Sequence, residues 1–109
     1  MKEVRMAELP SHARVVIIGG GAAGVSSLYH LAKAGWTDCV LLEKNELTSG
    51  STWHAAGNVP TFSSSWSLMN MQRYSATLYR GLADEVGYPM NYHVTGSLRL
   101  AHGRERLRE

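Results

Sequence analysis

Three glycines, Gly19, Gly21 and Gly24, stand directly behind a short apolar run and ahead of a helical one, and that order restricts what the chain can build. The run from Ala13 to Ile18 is rich in β-branched residues and reads as a strand. Each glycine of G-x-G-x-x-G then has a separate task. Gly19 lets the chain turn sharply out of the strand, Gly21 lets backbone approach a pyrophosphate, and Gly24 lets the helix pack closely on the sheet. The dipole and free N–H groups at the helix start favour phosphate. Val25, Leu28, Leu31 and Ala32 recur at helical spacing, and Gly35 marks the C-terminal cap where the helix should end. Cys39 to Leu42 is a second apolar run. It delivers Glu43 about 20 residues beyond the last glycine, where a carboxylate accepts hydrogen bonds from a ribose hydroxyl pair and disfavours a 2′-phosphorylated cofactor. Strand, glycine turn, helix and acidic strand end together predict a dinucleotide cradle, which serves NAD or FAD equally.

A doubly wound dinucleotide fold normally carries more strands than follow here. After the first βαβ unit the alternation stops, and the 109 residues end in Arg104-Glu105-Arg106-Leu107-Arg108-Glu109, a charged helix-like pattern without a stop signal. The expectation is the N-terminal piece of a larger protein, with too little buried apolar surface to be secure alone. The formal net charge of +2 comes from scattered residues of both signs, so nothing marks a nucleic-acid surface. A single cysteine, Cys39, excludes an internal disulfide and reads as strand packing. No run is long and apolar enough for a membrane span, and Met1 to Ser11 lacks the apolar core of a secretion signal. A cytoplasmic location is expected, or the mitochondrial matrix after processing. No metal-ligand cluster is expected.

Beyond Lys44, the run Ser49-Gly50-Ser51-Thr52-Trp53-His54-Ala55-Ala56-Gly57 is small-residue chain broken by one indole and one imidazole. Small residues let backbone lie close to a flat ligand, and Gly50, Ser51 and Thr52 offer N–H and hydroxyl donors. A helix start capped by Ser51 or Thr52 is the plainer reading, and the two are compatible. Asn58 to Ser67 is loop-forming, with Phe62 and Trp66 as pocket-lining residues or simple anchors. Leu68 to Val86 reads as a helix with a core stripe of Met71, Tyr74, Leu78, Leu82 and Val86, ended by Gly87 and Pro89. Tyr92 to Thr95 and Ser97 to Ala101 read as two extended pieces broken at Gly96, with Val94, Leu98 and Leu100 inward. Arg99, alternating with leucines, is expected to face solvent rather than a substrate carboxylate. His12, His30, His93 and His102 carry no signal of chemistry.

From about Val15 to Leu107 the chain resembles the N-terminal part of the dimethylglycine dehydrogenase and sarcosine dehydrogenase family, FAD-dependent amine oxidoreductases of the D-amino-acid oxidase type. The resemblance is carried by Gly19 to Gly24, Leu41-Leu42-Glu43-Lys44, Leu47 to Gly57, and Thr95 to Ala101. The Trp-His-Ala-Ala-Gly stretch is the most specific of these, and in that family its histidine, here His54, is the covalent attachment point of the flavin. The resemblance implies an α/β fold: the N-terminal βαβ of an FAD-binding Rossmann-like domain, incomplete and running into the start of a substrate domain. In that division residues 1–13 are a tail, 14–90 belong to the FAD-binding domain, and 91–109 begin the substrate-domain sheet. The implied cofactor-binding set is Gly19, Gly21, Ala23, Gly24, Glu43, Lys44, Gly50, Ser51, Thr52, His54, Ala56 and Gly57, with catalytic residues unassigned. Imidazole suits attack on the flavin 8-methyl carbon because its unperturbed pKa of about 6.5 leaves it largely neutral at neutral pH.

The implied reaction is hydride transfer from an N-methyl amine such as dimethylglycine or sarcosine to flavin N5. The resulting iminium releases formaldehyde, or passes its one-carbon unit to tetrahydrofolate if the parent protein carries a folate-binding domain. Electrons go to an electron-transfer flavoprotein or to oxygen. Two rival expectations remain: a non-catalytic relative like the regulatory subunit of pyruvate dehydrogenase phosphatase, and an NAD-dependent dehydrogenase.

Overall fold

The structure, a computed structural model, describes residues 10–108; most of the expected tail over residues 1–13, and Glu109, lie outside them. Strand β1 (Val15–Ile18), helix α1 (Ala22–Lys33), strand β2 (Cys39–Leu42) and helix α2 (Trp66–Val86) follow in that order. Two compact units divide the chain, Met1–Asn58 and Val59–Glu109.

In the first unit β1 and β2 pair in parallel, with Val15 opposite Cys39 and Ile18 opposite Leu42. A parallel pair needs a crossover, and α1 supplies it. The strand is shorter than the Ala13 to Ile18 run because Arg14 bends away: its N–H donates to the Asp38 backbone carbonyl and carboxylate, both at 3.1 Å. Its guanidinium lies 4.0 Å from the centre of the Trp36 ring, which ties the strand entrance to the turn before β2. The Gly19 N–H adds one bond beyond the ladder, to the Leu42 carbonyl at 2.8 Å.

Helix α1 ends as its sequence predicts. Gly35 has φ +85°, its N–H donates to the Ala32 carbonyl, and the Trp36 N–H donates to the Leu31 carbonyl. This paired arrangement satisfies two carbonyls that the helix leaves open, and the left-handed backbone it requires is costly for any residue with a Cβ. α1 covers the Ile17 side of the sheet, with Ile17 half-buried. On the other side Val16 is 52% exposed and Ile18 87% exposed, so within this unit one apolar sheet face has no cover.

In the second unit Ser65 caps α2, its hydroxyl accepting from the Leu68 N–H at 3.5 Å, and Gly87 ends the helix in the left-handed conformation. The serine run therefore starts the helix two residues earlier than the apolar pattern suggests. The expected core stripe is corrected: Met71, Tyr74 and Val86 are exposed, while Leu78 and Leu82 are half-buried. The more buried line runs through Met69, Gln72, Ala76 and Tyr79, and Ala76 is the one fully buried apolar residue among those described. Tyr79 meets the ring of Tyr92 at 6.0 Å, so the chain following the helix returns along this side.

Residues 91–101 form no strand, and Val94, Leu98 and Leu100 are exposed rather than inward. Extended chain becomes a strand only against a ladder partner, and no described segment offers one. Arg104 to Leu107 forms a turn instead of the expected helix, closed by the Arg108 N–H on the Glu105 carbonyl.

Candidate cofactor-binding site

The glycine turn connects β1 to α1, and its geometry explains its composition. A Cβ on Gly24 would fall on the Gly19 carbonyl oxygen, with the carbonyl carbon at 3.1 Å and Ile17 Cγ2 at 3.3 Å. Only glycine permits that approach of helix to strand. Gly21 is the N-cap residue of α1, in extended conformation and without a side chain to occupy the helix start. No acidic residue stands in the first turn, and Ala23 is exposed there, so no fixed negative charge opposes an anion at the positive end of α1.

Glu43 leaves the tip of β2 and turns toward the glycine turn. The Gly20 N–H donates to its Oε2 at 2.7 Å and the Asn45 N–H to its Oε1 at 3.0 Å. These two backbone donors, Gly20 first, hold the carboxyl below the usual carboxylate range. Each oxygen keeps a further lone pair, so a ribose diol can be accepted beside the backbone donors.

Leu47 to His54 folds as consecutive turns, not as the expected helix start capped by Ser51 or Thr52. It docks on the glycine turn. Thr52 Oγ1 accepts from the N–H of Ala22, the first residue of α1, at 2.9 Å, so Thr52 caps a helix 30 residues earlier in the chain. The Thr48 N–H donates to the Gly20 carbonyl at 3.0 Å, and the Leu47 side chain lies against Gly20. Thr48 has φ +65°, a strained conformation for a β-branched residue, and it is held there from both sides: its carbonyl accepts from the Trp53 N–H at 3.2 Å.

His54 stands two residues past Thr52. Its Nδ1 lies 3.1 Å from the Gly50 carbonyl oxygen. A carbonyl only accepts, so this hydrogen bond requires the proton on Nδ1, the tautomer whose lone pair is on Nε2. The Trp53 ring lies against the imidazole, with centroids 4.2 Å apart and planes at 41°.

The structure thus brings Gly19, Gly21, Gly24, Glu43 and Thr52 into one constellation and joins Gly50 to His54. Lys44, Ser51, Ala56 and Gly57 are exposed, and the Lys44 charge adds to the lowering of the Glu43 carboxyl. Gly20, Leu47 and Thr48 stand in the stretches that carry the resemblance but not in the expected cofactor-binding set. The signal for Gly20 was a glycine at an unconstrained motif position; it is fully buried, and both its N–H and its carbonyl are used.

In the second unit Arg99 does not simply face solvent: its guanidinium lies 3.4 Å from the centre of the Phe62 ring. Phe62 therefore anchors the segment before α2 to the segment after it. With His102 and Arg106 the pair lines an open groove of about 510 Å³. Among the described residues no cluster of three or more His, Cys, Asp or Glu could hold a metal ion, and no helix is long and apolar enough to cross a membrane.

The glycine turn at the α1 start, the Glu43 carboxylate and the small-residue loop thus stand together at the ends of β1 and β2. Comparison with known proteins gives the family. Residues 14–109 match the DAO family, described as FAD dependent oxidoreductase. The chain is 51% identical over 102 residues to mitochondrial dimethylglycine dehydrogenase of Rattus norvegicus, covering 94% of this chain and 12% of that protein. It is 45% identical over 105 residues to the mitochondrial pyruvate dehydrogenase phosphatase regulatory subunit of Mus musculus, covering 96% of this chain and 12% of that protein. Among solved structures, L-amino acid deaminase from Proteus myxofaciens in complex with anthranilate superposes with a TM-score of 0.70 at 30% identity, over 76% of this chain and 18% of that one. The chain therefore spans about one eighth of the length of these curated relatives.

Proposed function

We propose, from the premise that this chain belongs to the DAO family of FAD-dependent oxidoreductases, that its first unit holds FAD for the oxidation of an N-methyl amine such as dimethylglycine or sarcosine. One observation carries the reading: the Thr52 hydroxyl on the Ala22 N–H fixes the histidine loop to the phosphate-binding turn, so cradle and His54 form one built site. FAD, when bound, supplies the two-electron acceptor at N5 for a hydride from the N-methyl carbon. The chain's own residues bind and orient. The α1 start and the glycine turn take the diphosphate, Glu43 takes the ribose hydroxyls, and the loop from Gly50 to Gly57 lies beside the ring system.

His54 joins the cofactor covalently in this reading. With Nδ1–H held by the Gly50 carbonyl, Nε2 carries the lone pair that bonds. The oxidised amine is an iminium, which releases formaldehyde on hydrolysis or gives its one-carbon unit to tetrahydrofolate. An electron-transfer flavoprotein is the acceptor that goes with a dehydrogenase, and oxygen the acceptor that goes with an oxidase. The names of both curated relatives place them in mitochondria, and a matrix location is the corresponding reading for this protein. Residues 14–90 belong to the FAD-binding domain and 91–109 to the start of the substrate domain.

A second reading has its own observation, the 45% identity to a phosphatase regulatory subunit, and would make this a flavin-holding protein without turnover. Reduction of an electron-accepting dye by the whole protein, with sarcosine or dimethylglycine as donor, separates the two. Amine-dependent reduction is the expected result; bound flavin that no N-methyl amine reduces would favour the regulator. An absorbance spectrum of the purified protein excludes the nicotinamide alternative if it shows the visible bands of flavin.

A further inference from the structure

We propose that Trp53 is a positioning residue for His54: its indole and the Gly50 carbonyl together hold the imidazole in the orientation and tautomer that bond to flavin. The inference rests on the reading that His54 is the attachment point. Trp53 is 67% exposed, so this large ring is not there to fill a core. It lies on the imidazole instead, at 4.2 Å between centroids, while Nδ1–H is held at 3.1 Å by Gly50. The hydrogen bond sets the tautomer and one direction in the ring plane. The indole restricts rotation out of that plane.

The backbone beneath the pair is fixed independently. The Trp53 N–H is bonded to the Thr48 carbonyl, the Ala55 N–H to the Thr52 carbonyl, and Thr48 is pinned in a strained conformation to Gly20. Side chains of adjacent residues usually diverge; the turn here brings two rings together. An exposed imidazole without that constraint would sample several rotamers, and a reaction needing one of them would slow accordingly. The bond formed is Nε2 to the flavin 8α carbon. The methyl carbon and the imidazole each lose one proton, the C–H electron pair stays on the isoalloxazine, and dioxygen takes both electrons and both protons as hydrogen peroxide.

The test uses the whole protein prepared flavin-free and then given FAD, in wild type, Trp53→Ala, Trp53→Leu and Trp53→Phe forms. Quenching of flavin fluorescence reads binding, and the acid-insoluble yellow fraction over time reads bond formation. Trp53→Ala and Trp53→Leu should bind FAD with affinity close to wild type but form the bond at least about tenfold more slowly, and Trp53→Phe should recover most of the rate. The 15N signals of His54 should report the Nδ1–H tautomer in the wild type, and its side-chain signals should show wider rotamer averaging in Trp53→Ala than in the wild type. A wild-type rate in Trp53→Ala, or a rate in Trp53→Phe as low as in Trp53→Ala, overturns the positioning role while leaving His54 attachment intact. A wild type whose acid pellet is colourless despite bound FAD overturns the attachment itself, and the positioning role with it.

Discussion

Glu43 is the residue where backbone and ligand chemistry meet. The Gly20 and Asn45 N–H groups favour its ionised form, so its folded pKa is lowered. A lowered carboxylate contributes stability that is present above its unfolded value and lost as pH falls through the folded one. The thermal stability of the whole protein should therefore fall as the solution is acidified below the ordinary carboxylate pKa, read as a falling melting temperature, and Glu43→Gln should be less stable at neutral pH and flatter over the acid range. Thr52 makes a second local prediction. Thr52→Val removes the acceptor for the Ala22 N–H and should cost about 1 kcal/mol in thermal unfolding of the whole protein, with Thr52→Ser close to wild type. Gly19, Gly21, Gly24 and Glu43 were legible in sequence because the motif assigns each a task. Thr52 was legible as a polar donor but not as the cap of α1, because its partner lies 30 residues away and short-range spacing does not encode it. Gly20 was hidden for a related reason: its use comes from Glu43 and Thr48 folding back onto it.

Elements were legible where the signal is local. α1 begins after Gly21 and stops before Gly35, and β2 spans Cys39–Leu42 as its apolar run predicts. Gly35→Ala should destabilise by about 1 kcal/mol through the positive φ alone. Gly24→Ala should cost more than about 2 kcal/mol, because a methyl group would meet backbone that cannot move without parting helix and strand. Chemical denaturation of the two variants measures the difference. Where an element depends on a partner, the sequence pattern misled. The apolar line of α2 through Met71 and Tyr74 and the alternation at Leu98 and Leu100 both predict burial, yet these side chains are exposed because no described segment packs on them.

Within the first unit a sheet face bearing Val16 and Ile18 is exposed, within the second a helix line bearing Met71 and Val86 is exposed, and Ala76 is the one buried apolar residue among those described. Burial of that kind cannot offset the conformational entropy of ordering about 100 residues. Expressed alone, the 109-residue chain should show no cooperative thermal transition by near-ultraviolet circular dichroism and should bind hydrophobic dyes; a sharp transition would contradict this. Within the first unit the glycine turn and the histidine loop are nevertheless joined through Thr48 and Thr52. The most direct test of that joined site is peptide mass spectrometry of the purified, flavin-replete protein. The peptide containing His54 should carry the mass of one FAD less two hydrogens. An unmodified His54 peptide from protein whose flavin is fully bound would contradict the account.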